Sequence, residues 1–131
     1  MIRWMYPMKL KGFTLVEVLV VLAILAVMAG AAVPIYTGQI ERSYQNEPYT
    51  YLNILYTAQK IYALNNGGAF WDGGSNPPVA TINTNLNTDL ASPVYYTITS
   101  VGTAISEMSR TVGSTTTTFT MTYATGQITQ T

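Results

Sequence analysis

The sequence predicts an α+β protein: a long N-terminal α-helix packed on a small C-terminal antiparallel β-sheet. Three observations predict it. An apolar run over residues 13–36 leads into a stretch whose tyrosines recur at helical spacing. Asn65-Asn66-Gly67-Gly68 then breaks the helical pattern. Beyond Pro93, apolar and polar residues alternate with the period of a strand. At 131 residues the chain has room for one ordinary domain, or a small domain with an appendage.

Residues 1–12 (MIRWMYPMKLKG) hold Arg3, Lys9 and Lys11 and no acid, and read as a basic leader. Residues 13–36 hold a single charge, Glu17, and none from Val18 to Tyr36. As a helix this stretch spans roughly 36 Å, enough for a hydrocarbon core of about 30 Å. The basic leader directs the N-terminus to the cytoplasm and the C-terminus outside. Three readings compete: a plain anchor, a signal peptide cut near Ala29-Gly30-Ala31, and a segment cut ahead of the apolar run so that the helix is kept. Glu17 favours the third. A charge inside a membrane helix costs about 2.5–3.5 kcal/mol, and a signal peptide gains nothing from it. Further along, Pro34 removes a backbone donor and crowds the carbonyl of Gly30, so a kink or loosened turn is expected there.

Residues 37–65 read as the amphipathic half of the same helix. Tyr44, Tyr51, Leu55, Ala58 and Tyr62 share one face, which Leu52 and Tyr56 broaden. That stripe should bury against the sheet. Pro48 marks a second expected kink. Residues 66–93 read as a long loop, pinned by Phe70 and Trp71, with Asp72 and Asp89 as turn and cap residues. The sheet occupies 94–131. Val94, Tyr96 and Ile98 alternate with Tyr95, Thr97 and Thr99, and Phe119, Met121 and Tyr123 with Thr118, Thr120 and Thr122. A further strand is expected around 103–108, and Thr125-Gly126 turns the chain into a last strand, 127–131. One face of the meander should meet the helix and a threonine-rich face should point outward.

Composition excludes several chemistries. With no cysteine and no histidine there is no disulfide, no Cys/His metal site and no Ser-His-Asp triad. Six scattered acids present no general acid/base pair, so no catalytic residues, metal or cofactor are assigned and an enzyme is not expected. Beyond residue 42 the only cations are Lys60 and Arg110, so no basic stripe for nucleic acid is evident. Without disulfides the sheet is expected to hold by packing alone.

Lys11-Gly12-Phe13-Thr14-Leu15-Val16-Glu17, followed by the uncharged run, resembles the N-terminus of type IV prepilins and pseudopilins. The resemblance implies a pilin-like fold and processing by prepilin peptidase. That enzyme would cleave between Gly12 and Phe13 and methylate the new Phe13 amine. Glu17 falls on the family's glutamate, whose carboxylate is thought to neutralise the terminal amine of a neighbouring subunit. Pairing with Phe13 of its own chain, one helical turn away, is the alternative. Pro34, with Tyr36 two residues on, matches a proline and a following aromatic often found at these positions in the family. The implied partners are further copies of the chain in a helical filament, the inner-membrane assembly platform and its ATPase motor, and membrane lipid before assembly. The implied route runs from the inner membrane to a pilus on the cell surface. A pilus subunit is favoured over a type II secretion pseudopilin, because some pseudopilins carry a calcium loop near the C-terminus and residues 111–131 have no carboxylate. From another class, a secreted periplasmic binding protein with a cleaved signal peptide stays open. Removing residues 1–12 would take away three cations, leaving Arg42, Lys60 and Arg110 against all six acids.

Overall fold

A computed structural model describes residues 12–131; the basic leader, Gly12 apart, lies outside the described residues. The chain divides into two compact units, one ending at Ile40 and the other Glu41–Thr131. Helix α1, Leu15–Asn65, contributes to both. Helix assignment is unbroken through Gly30, Pro34 and Pro48. From Phe13 to Tyr36 the large apolar side chains are exposed.

The second unit joins the later part of α1 to strand β1 (Gly74–Ser75), helix α2 (Val79–Leu86) and strands β2 (Thr97–Val101), β3 (Ile105–Val112), β4 (Thr115–Thr122) and β5 (Gln127–Gln130). The sheet is a meander in chain order, and every neighbouring pair is antiparallel. Its inner face presents Ile98, Met108, Phe119 and Met121 to Leu52, Leu55 and Ala58 of α1, with Tyr44, Tyr51, Tyr56 and Tyr62 packed against that core. Burying each large apolar side chain contributes about 1.5–3 kcal/mol. Helix α1 stops as its sequence requires. Gly67 and Gly68 take positive φ, and the Gly68 N–H donates to the Ala63 carbonyl at 2.8 Å, closing the exposed end of the helix. Gly126, at φ 67°, turns β4 into β5.

Two expectations about element boundaries are corrected. The segment 66–93 is not a plain loop, since it contains β1 and α2. Ile82 and Leu86, one turn apart, bury the face of α2, and Asn87 ends it in the left-handed conformation. The strand expected from Val94 begins only at Thr97. The backbone N–H groups of Val94, Tyr95 and Tyr96 do not enter the ladder because the Glu47 carboxylate accepts all three, at 2.6, 2.8 and 2.8 Å.

Glu47 is one of three such clamps, and together they correct the expectation of packing alone. The fully buried Gln59 donates to the Trp71 carbonyl at 2.8 Å and accepts from the Trp71 N–H at 2.9 Å. Asn83 does the same with Leu90, both at 2.9 Å, and also accepts from the Thr88 hydroxyl. The Tyr51 hydroxyl donates to the Ala91 carbonyl at 3.0 Å. Phe70, 5.1 Å from the Tyr123 ring, and Trp71 pack against the core as their sequence position suggested. The Asp72 carboxylate accepts from the Gly74 N–H at 3.0 Å, the turn role expected of it.

On the face of the sheet that meets α1, buried Tyr123 shares a hydrogen bond with the Ser106 hydroxyl. Burial pushes its phenol above the ordinary 10.0, and hydrogen bonding to Ser106 and Gln59 offsets only part of that. A raised folded-state value contributes stability that is complete below pH 10.0 and lost as pH rises through the raised value. Alkaline titration should therefore weaken the wild-type head more steeply than a Tyr123→Phe variant. Denaturant midpoints compared above pH 10.0 test this, and parallel curves would show that Tyr123 is not linked to folding.

Candidate functional site

The residues singled out from the sequence gather at the start of α1. Gly12, Phe13 and Thr14 precede the helix in irregular conformation and are exposed, Phe13 to 84%. The Gly12–Phe13 bond therefore lies on a segment outside the helix, and none of the described residues lies within 4 Å of where a Gly12 side chain would begin. A cleaving enzyme needs such an unfolded, side-chain-free approach to the backbone.

Glu17 does more at this end than carry a charge. The Thr14 N–H donates to Glu17 Oε2 at 3.1 Å, and the Thr14 hydroxyl to the same oxygen at 3.3 Å. In return the Glu17 N–H donates to the Thr14 hydroxyl at 3.2 Å. With Leu15 as the first helical residue, Thr14 is the N-cap and Glu17 the third position, which is a capping box. It satisfies donors that the helix leaves unpaired and places the carboxylate against the positive end of the helix dipole. Thr14 was not among the residues drawn from the sequence, although threonine three residues ahead of glutamate before an apolar run is the signature of this motif. The carboxylate's hydrogen bonds go to Thr14, so the structure does not join Glu17 to Phe13.

Thr14→Val should remove the cap at a cost of about 1 kcal/mol and fray the first turn. Amide exchange at residues 16–18 in detergent-solubilised protein would then quicken by about fivefold. Unchanged exchange would show that the cap does not hold the turn.

Past the cap the helix surface is apolar on all sides. Val18, Leu19, Val20, Val21 and Leu22 are each about half exposed, so no face of this segment is covered by the described residues. An 18-residue window of α1 reaches a mean hydropathy of 2.8 with none of it buried, enough by length and composition to cross a membrane. Gly30 lies within the helix, and a side chain there would meet nothing within 4 Å among the described residues, so its smallness serves no contact with them. Pro34 lies in the same helix, four residues on.

Residues 7–33 match the family described as the prokaryotic N-terminal methylation motif. The chain is 44% identical over 52 residues to the type IV major pilin protein PilA of Myxococcus xanthus, covering 40% of this chain and 24% of that protein. It is 38% identical over 63 residues to a fimbrial protein of Moraxella nonliquefaciens, covering 48% and 40%. It is 33% identical over 69 residues to prepilin peptidase-dependent protein D of Escherichia coli, covering 52% and 47%. The matched stretches span about a quarter to a half of the length of these curated relatives. No solved structure matches.

Proposed function

We propose, from a prepilin methylation motif and the likeness to type IV pilins, that this chain is a structural subunit of a type IV pilus filament. The observation that carries the reading is the uncovered apolar helix behind one capped carboxylate. Such a surface needs lipid before assembly and neighbouring helices afterwards, and both environments satisfy it without refolding. Cleavage after Gly12 leaves a cationic amine on Phe13, and methylation keeps its charge. In a bundle of such helices Glu17 is the one carboxylate of the apolar segment, so it neutralises the amine of an adjacent copy and fixes the stagger between subunits. The helix is unbroken at Gly30 and Pro34 in the single chain, and the weakened turn expected there would give a bundle room to adjust. A pilus is favoured over a pseudopilus because residues 111–131 contain no carboxylate to build a calcium loop.

The deciding measurement is the N-terminus of the mature chain. A start at Phe13 carrying a methyl group is expected, whereas a start at or after Ala31 would mean that the apolar segment is a signal peptide and is discarded. Mass spectrometry of filaments sheared from cells then shows whether this chain builds a surface pilus.

A further inference from the structure

The head unit, residues 41–131, pairs its charges unevenly. Four of its five carboxylates are engaged within the chain. Glu41 meets Arg110 at 3.3 Å, Glu47 holds the 94–96 backbone, Asp72 caps a turn, and Glu107 accepts from the Thr120 hydroxyl at 3.2 Å. Asp89, exposed, is the carboxylate left without a donor among the described residues. Of the three cations, Arg110 is paired, and Arg42 and Lys60 have no anion among the described residues. Lys60 only lies over the Tyr56 ring, 5.0 Å from its centroid.

These unpaired charges border unpaired apolar surface. Asp89 directly follows a groove of about 390 Å³ between α1 and the end of α2, walled by Ile54, Thr57, Ile61, Leu86 and Thr88. Ile61 is 55% exposed there. Lys60 stands one turn before Leu64, which at 85% is more exposed than any other large apolar side chain of this unit. Lys60 and Leu64 lie roughly a quarter turn around α1 from Ile54 and Ile61. The unit thus carries an apolar groove with an exposed anion one residue past its wall and, about a quarter turn further round α1, an apolar knob with a cation beside it.

We infer that the groove receives Leu64 of a second copy of this chain, with Lys60 of that copy paired to Asp89. The inference rests on the filament reading above. The two patches are distinct, so their contact can repeat head-to-tail from copy to copy, as a filament requires, whereas a reciprocal pairing of the same residues would close at a dimer. The opposite charges select this register, since the head holds more acids than cations and most other juxtapositions set like charges together.

The test is a charge exchange in cells that assemble the filament. Lys60→Glu and Asp89→Lys are each expected to lower the yield of sheared filament by about tenfold, and the two together to restore it to within about twofold. Arg42→Glu combined with Asp89→Lys should not restore it. Because the chain has no cysteine, a copy carrying Leu64→Cys and another carrying Thr88→Cys should be joined in filaments by a short thiol-to-thiol crosslinker. Normal filament yield from both single charge variants, no crosslink, or a crosslink only to a different protein would overturn the contact while leaving the filament reading intact. Absence of filaments from the unaltered chain would overturn that reading and the contact together.

Discussion

Glu17→Ala is expected to abolish filament assembly while leaving removal of the leader largely intact. On the processing proposed above, cleavage would act between Gly12 and Phe13, both exposed and ahead of the helix, and would not need a carboxylate one turn further on. Assembly does need it, on the reading above. Without Glu17 every Phe13 amine in the bundle would be a buried charge with no counter-charge. Leaving one member of a buried pair alone costs about 3–5 kcal/mol, so filament yield should fall by at least about a hundredfold. The capping box supplies the control that separates charge from helix stability. Glu17→Gln keeps an acceptor for the Thr14 N–H but carries no charge, and it should fail nearly as completely as alanine. Thr14→Val removes the cap but keeps the charge, and it should assemble at reduced yield. The yield of sheared filament against the yield of processed subunit gives the comparison. If the glutamine variant assembles normally, Glu17 acts as a helix cap and its register role is wrong.

The second large effect is expected in the head. Glu47→Ala should destabilise it by about 3 kcal/mol. One carboxylate there accepts three consecutive backbone N–H groups, and hydrogen bonds to a charged acceptor contribute about 1.5–3 kcal/mol each. The loss stays below the sum because Val94 and Tyr95 are exposed and water can replace the carboxylate at their N–H groups. Buried Tyr96 has no such recourse. Glu47→Gln should fall between, since the amide keeps one acceptor oxygen and turns donors toward donors at the other position. The processed chain offers a convenient probe, because removing residues 1–12 leaves Trp71 as the sole tryptophan. Urea unfolding of the detergent-solubilised chain, followed by Trp71 fluorescence, would show an unchanged midpoint if the clamp were ornamental.

The long helix, its core stripe and the antiparallel meander were legible because each rests on local periodicity. Tyr44 through Tyr62 and Phe119 through Tyr123 repeat often enough to reveal a face. Helix α2 was hidden for a related reason. VATINTNL is short, lies near prolines and glycines, and is rich in residues that favour turns, with only Ile82 and Leu86 to mark a face. The late start of β2 was beyond any local pattern, since Val94–Tyr96 alternate like a strand but lose their donors to a glutamate 47 to 49 residues earlier. Thr14 is a different case. Its signature is local, a threonine three residues ahead of a glutamate, but the charge of Glu17 in an apolar segment points equally to a partner outside the helix. Pro48 shows tertiary context outweighing propensity: it is buried and helical, in a helix assigned without a break.

Glu47, Gln59 and Asn83 tie the connecting segment to α1 and α2 with no covalent bond, and this has a consequence for where the protein can be made and kept. A disulfide acts largely by restricting the unfolded chain, and it needs an oxidant to form and resists urea once formed. Side-chain clamps exist only in the folded state. The head therefore has no redox chemistry to complete and depends on neither an oxidase nor a thiol buffer. It should fold and hold equally well in reducing and oxidising surroundings.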